Sequence, residues 1–298
     1  MRTVLPISVV LLLLVGAVLA QERLPASTQA RLATAAHVEA MTLADFTIVM
    51  SKAQSGDREA QYLMVHIYLD DRLVPKDLAM ARSWMLKSAE QGYVPAQAAM
   101  GEMYLNGITH NGVIPDHGNA ERWLRLAATQ GDADAQLWLG NGYERGYFGT
   151  FDYREALKWL RKAAEQRLPD AQFSLGQMYE EGEGVPESDS MAASWYRKAA
   201  DHFPEEDLGG VWEAEVQLAR MYRDGRLPKD YVEAYMWFAI VGSAVVPPAD
   251  DDIKWAAQHM TKAQIAKGQL MAEDWTKRHR RQGPTSGDNS LQPAQAAK

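Results

Sequence analysis

The apolar and polar positions along this chain repeat. Ala60-Gln61, Ala96-Gln97, Ala135-Gln136 and Ala171-Gln172 recur about every 36 residues, and Ala214-Glu215 continues the series. Eight residues beyond each alanine stands a tyrosine (Tyr68, Tyr104, Tyr143, Tyr179, Tyr222). Further on stands a tryptophan (Trp84, Trp123, Trp159, Trp195, Trp237), always three residues after an alanine. Five matching copies of this order predict five pairs of helices, the first running from the alanine to the tyrosine and the second centred on the tryptophan. Gly101, Gly140, Gly176 and Ala219 occupy one small position of the first helix, where a neighbouring helix approaches closely; Val65 is the exception in the first copy. Alanines four and five residues after Trp123 and Trp159 set small side chains beside large ones. The periodic tyrosines and tryptophans are therefore read as core.

Turn chemistry separates the two helices of each pair. Gly107, Gly146, Gly182 and Gly225 mark the turns, and Val74-Pro75, Ile114-Pro115, Val185-Pro186 and Leu227-Pro228 follow the usual helix-stop pattern. The second helices open on Asp77, Asp116, Asp152, Ser188 or Asp230, whose side-chain oxygens accept from otherwise unpaired backbone N–H groups. Asp152 with Glu155, and Asp230 with Glu233, have the spacing of a capping box. Three copies depart locally: the second has three extra turn residues, the third has no proline in its turn at 146–152, and seven extra residues fall around 204–210.

Ala171, Leu175, Gly176 and Tyr179, then Gly182-Glu183-Gly184-Val185-Pro186, then Ala192, Trp195, Tyr196, Lys198, Ala199 and Ala200 spell out almost completely the signature of the Sel1-like repeat. On these residues the chain resembles that family, a relative of the tetratricopeptide repeats. The resemblance implies an all-α fold, a right-handed α-solenoid of helix-turn-helix repeats. It covers residues 57–244 as five repeats. Residues 21–56 before it read as a capping half-repeat, in which Lys52-Ala53-Gln54-Ser55-Gly56 mimics a second-helix end. Residues 245–276 read as one C-terminal capping helix, and 277–298 as a basic cluster followed by a disordered tail.

The extreme N-terminus changes the picture of where the protein works. Arg2, an apolar stretch from Ile7 to Leu19 and the small residue Ala20 form a secretory signal pattern, with cleavage expected after Ala20. An uncleaved anchor is the competing reading of the same stretch. The expected location is periplasmic or secreted. The chain has no cysteine, which excludes thiolate metal sites, disulfides and a cysteine nucleophile. A net charge of −8 makes nucleic acid an unfavourable partner. Lys277, Arg278, His279, Arg280 and Arg281 form the one basic cluster, and cations also suit a helix C-terminus.

Catalytic chemistry finds little support. The seven histidines are scattered without a His-Glu-x-x-His pair, and His110, Asp116 and His117 around a turn make only a weak metal candidate. Neither a nucleophile elbow nor a phosphate loop is present, for Gly182 and Gly184 lie in a helix turn before proline. Acidic runs such as Glu180-Glu181 and Asp250-Asp251-Asp252 read as solvated surface. No catalytic residue, metal or cofactor is assigned.

Solenoids instead offer a wall. Positions three, six and ten after the repeat alanine vary freely and share one helical face. From them the expected partner-binding residues are His66, Glu102, Trp138, Asn141, Arg145, Gln177, Glu181 and Arg220. Trp138 is non-periodic and reads either as a binding anchor or as packing under its loop. The resemblance implies a scaffold or adaptor that binds a protein or peptide through its concave face. An enzyme or accessory factor acting on peptidoglycan or an envelope complex is the alternative from another class.

Overall fold

The computed structural model describes residues 34, 36–38, 40–107, 114–202, 211–242 and 249–279. The expected signal segment at 1–20, the extra residues at 204–210, His110 and the residues beyond 279 lie outside the described residues. Among the described residues every regular element is a helix. The fold is all-α, built from helix-pair repeats of the solenoid class. The chain divides into two compact units, one up to Ala199 and one from Ala200 onward.

The first unit opens with α1 (Leu43–Gln54). Four helix pairs follow: α2 (Arg58–Leu69) with α3 (Leu78–Glu90), α4 (Val94–Asn106) with α5 (His117–Thr129), α6 (Ala133–Glu144) with α7 (Tyr153–Glu165), and α8 (Pro169–Glu181) with α9 (Asp189–Ala200). First helices of successive pairs also touch, α4 with α6 and α6 with α8. The small positions explain the close fit within a pair. A β-carbon on Gly101 would stand 2.6 Å from Leu124, one on Gly140 2.6 Å from Leu160, and one on Gly176 2.4 Å from Tyr196. In each case the intruding side chain is the residue after the periodic tryptophan. Trp84, Trp123 and Trp159 are buried as expected, while Trp195 keeps part of its ring open. Lys87, Lys162 and Lys198 lie over the rings of Trp84, Trp159 and Trp195 at 4.2, 4.5 and 3.7 Å.

Buried glutamines join one repeat to the next. Gln61, Gln97, Gln136 and Gln172 donate from Nε2 to the carbonyls of Ala53, Ala89, Ala128 and Ala164, at 3.0–3.2 Å. The Oε1 of Gln61, Gln97 and Gln136 accepts in turn from Gln91, Gln130 and Gln166 at the next second-helix end, at 2.7–2.9 Å. Ala53 takes the same place in this series as the second-helix alanines, so α1 stands where a preceding second helix would.

The turns close by a second recurring bond. The backbone N–H of Asp77, Asp116, Asp152 and Ser188 donates to the carbonyl of Tyr68, Tyr104, Tyr143 and Tyr179, at 2.8–3.0 Å. That bond leaves the expected capping box at Asp152 unformed, since its N–H is already spent. Glu155 turns instead to the Trp159 indole N–H at 3.0 Å and to Lys158 at 2.8 Å. Asp152 still caps through its side chain, accepting from Arg154 and Glu155 N–H.

The second unit holds the fifth pair, α10 (Val211–Arg223) and α11 (Tyr231–Gly242), then α12 (Ala249–Gln258) and α13 (Lys262–His279). The C-terminal cap thus has two helices where the sequence suggests one. The break falls at Thr261, which forms a capping box with Gln264 and starts a new helix. α11 is apolar on nearly every side, consistent with its packing against α10, α12 and α13. Trp237 is fully buried and meets Trp275 edge to face at 4.9 Å.

Gln136→Met keeps the volume of the side chain but removes both of its hydrogen bonds. It is expected to lower stability by about 1 to 3 kcal/mol in thermal or urea unfolding followed by circular dichroism. Unchanged stability would show that the glutamine series adds nothing to repeat packing.

Candidate functional site

The variable face of the first helices is neither core nor free surface. At position three Leu63, Ala99 and Trp138 are half-buried and Ser174 is buried; at position six His66, Glu102, Asn141 and Gln177 are half-buried; at position ten Asn106, Arg145 and Glu181 are exposed and Asp70 is half-buried. The face therefore opens towards the C-terminal end of each first helix. The tenth residue has left the contact with the neighbouring repeat and meets solvent.

His66 and Glu102 come together in a hollow of about 280 Å³ between α2, α3 and α4, with Leu69, Arg82, Met85 and Met103 among its walls. Burial pushes the His66 imidazole below its ordinary range, and it meets Tyr62 edge-on at 4.9 Å. Asn141 is tied across the repeats, accepting from Ser174 Oγ at 3.3 Å. Trp138 is half-buried and packs against the core of Leu139, Leu160 and Leu175. Part of its ring serves packing and part stays open on the first-helix face. Arg220 is exposed on α10 of the second unit.

Two exposed members, Arg145 and Glu181, border a group that sequence reasoning missed. Burial first, then the charges of Glu183 and Glu181, raise the Glu144 carboxyl from its ordinary 4.5 to about 7, with Arg145 opposing. Tyr153 donates to Glu183, which raises the phenol's own pKa. Gly184 makes this approach, for a β-carbon there would lie 2.9 Å from Tyr153 Cβ. The signal that was present in sequence is the third turn, where aromatic residues stand in place of a Val-Pro pair.

Other clusters have structural roles. Tyr143 donates to Glu121, Arg125 donates to Tyr143, and burial with the Glu121 carboxylate raises the Tyr143 phenol. His117 stacks on Tyr147 at 5.3 Å, and its proposed metal partner His110 lies outside the described residues. Among the described residues no group of three or more His, Asp or Glu side chains is placed to hold a metal ion. In the second unit Tyr231 and His259 stack at 4.6 Å beside Trp255 in a hollow of about 370 Å³. Asp224 and Asp252 hold Arg223 there, at 2.9 and 3.2 Å.

The Sel1 repeat profile matches residues 58–93, 94–132, 133–168, 169–202 and 212–240, more than half of the chain. Among solved structures the chain is similar to c5321 of uropathogenic Escherichia coli, described as a protective antigen displaying an SLR fold, with 30% identity and a TM-score of 0.67 over 78% of this chain and 48% of that one. It is also similar to a Sel1 repeat protein from Oxalobacter formigenes, with 26% identity and a TM-score of 0.60 over 76% of this chain and 65% of that one. The chain thus spans about half the length of the first and just under two thirds of the second. A comparison with curated proteins finds no significant match.

Because the folded protein raises the Glu144 pKa, ionising this group costs stability above pH about 7 and costs nothing below its ordinary value of 4.5. Glu144→Gln is therefore expected to raise the melting temperature near pH 8 and to leave it unchanged near pH 4. A variant no more stable than the parent near pH 8 would show that the carboxylate is not under this strain.

Proposed function

From the chain's membership of the Sel1 repeat family, we propose that it is an exported, non-catalytic scaffold that binds a protein or peptide along the face of its first helices. Proteins built from these repeats generally mediate protein–protein interaction and are generally not catalysts. The observation that carries the reading is the division of labour along each first helix. The alanine, glutamine, glycine and tyrosine positions are spent on packing and on bonds between repeats, whereas positions six and ten stay half-open or exposed and differ from copy to copy. A surface whose scaffold is constant and whose open positions vary is suited to recognising one particular partner.

Export is supported by the cationic start, the apolar stretch and Ala20. Among the described residues no helix is long and apolar enough to cross a membrane. Mass spectrometry of the protein from its native source is expected to find Gln21 at the mature N-terminus. Intact Met1 in a membrane fraction would replace export of a free chain with anchoring.

The binding face is tested by placing a photo-cross-linking residue at Gln177, on the first helix α8, or at Lys158, on the exposed side of the second helix α7. Irradiation in the compartment where the protein resides is expected to trap one discrete partner from position 177 and none from 158. Trapping only from 158 would move the site to the second helices.

A further inference from the structure

The third turn is built differently from its neighbours. Residues 146–152 read Gly-Tyr-Phe-Gly-Thr-Phe-Asp, three aromatics where other copies have a proline. One of them holds the turn in place: Phe148 packs so closely beside α6 that a β-carbon on Gly142 would lie 2.2 Å from its ring, and it meets Tyr143 edge-on at 5.0 Å. Backbone bonds from Tyr147 to Gly142 at 2.9 Å and from Asp152 to Tyr143 at 3.0 Å fix the rest. Of the other two, Tyr147 stacks on His117 and Phe151 lies beside Gly146. Yet Tyr147 is 39% and Phe151 66% exposed. Exposed aromatics on a fixed backbone lose little entropy on binding and are common interface anchors.

What lies beside them is mainly acidic. Phe151 leads to Tyr153 at 6.3 Å between ring centroids, Tyr153 to its bonded Glu183, and Glu183 to Glu144 and Glu181. Among the described residues none of these three carboxylates forms an ion pair, and Arg145 is the one cation among the groups that shift Glu144. Such a surface repels phosphate-bearing partners, both anionic lipid and nucleic acid. It complements a side chain with an apolar stem and a cationic head. A guanidinium stacks on aromatic faces and pairs with carboxylates in two-pronged fashion.

We propose that Tyr147, Phe151 and Tyr153, with Glu144, Glu181 and Glu183, form a docking surface for an arginine-bearing, partly apolar segment of a partner protein. This rests on the reading of the chain as a binding module, and adds the place and the chemistry.

The probe is the capped peptide acetyl-Arg-Leu-Arg-Leu-Arg-amide, with its glutamate–leucine counterpart as control, titrated into the full chain and followed by backbone-amide NMR. The arginine peptide is expected to bind saturably, to perturb residues 146–153 and 181–184, and to weaken when salt is raised to about 0.5 M. Phe151→Ser and the triple variant Glu144→Gln/Glu181→Gln/Glu183→Gln are each expected to weaken it by about tenfold or more while keeping helical circular dichroism. Should Phe151→Ser misfold, the triple variant decides. No binding, equal binding of the glutamate peptide, shifts confined to other repeats, or affinity retained in both variants overturns the surface. A natural partner that still cross-links from position 177 in both variants would remove this surface and leave the scaffold reading standing. Arginine-peptide binding at this turn with no natural partner trapped would do the reverse.

Discussion

In the first four repeats a buried glutamine amide links the first helix to the helix end that precedes it. The carbonyls of the buried alanines Ala89, Ala128 and Ala164 near the second-helix ends accept from the backbone N–H three residues on, and each has a second lone pair to satisfy. The glutamine after the repeat alanine supplies that second donor in the first four copies, and in the first three its own oxygen accepts from the glutamine at the following second-helix end. Each amide is thus committed on both sides, so neighbouring repeats meet in one register. Apolar packing alone would hold the helices together with less discrimination, because hydrophobic contact is non-directional.

Given that register, the turns are free to differ. The bond from the N-cap N–H to the tyrosine carbonyl closes the long second turn and the short third and fourth turns alike. Only the two ends of the turn are fixed, so what lies between them varies without disturbing the pairs. The third turn uses that freedom for Tyr147, Phe148 and Phe151. The charged groups around it follow from the same geometry: Gly184 lets the fourth turn settle against Tyr153, which brings Glu183 towards Glu144. Glu144 therefore shares one neighbourhood with Glu181 and Glu183 from the next pair, and its own half-burial makes their repulsion felt.

The sequence by itself determined the repeat, its helices and its core. Alanine, glycine, tyrosine and tryptophan at constant spacing carry the packing, and because packing between like repeats recurs, its residues recur and are visible without coordinates. The sequence also marked the half-open face, since position along a helix fixes direction. Tertiary structure alone decided how each open position is used. Trp138 is partly packed because it lies against the core that Leu160 and Leu175 of neighbouring helices share, and Asn141 is engaged because Ser174 of the next first helix donates to it. The role of the glutamines and the strained carboxyl of Glu144 were not legible either. Both depend on which groups meet across repeats and how much water remains between them, and neither distance nor burial is written in residue order.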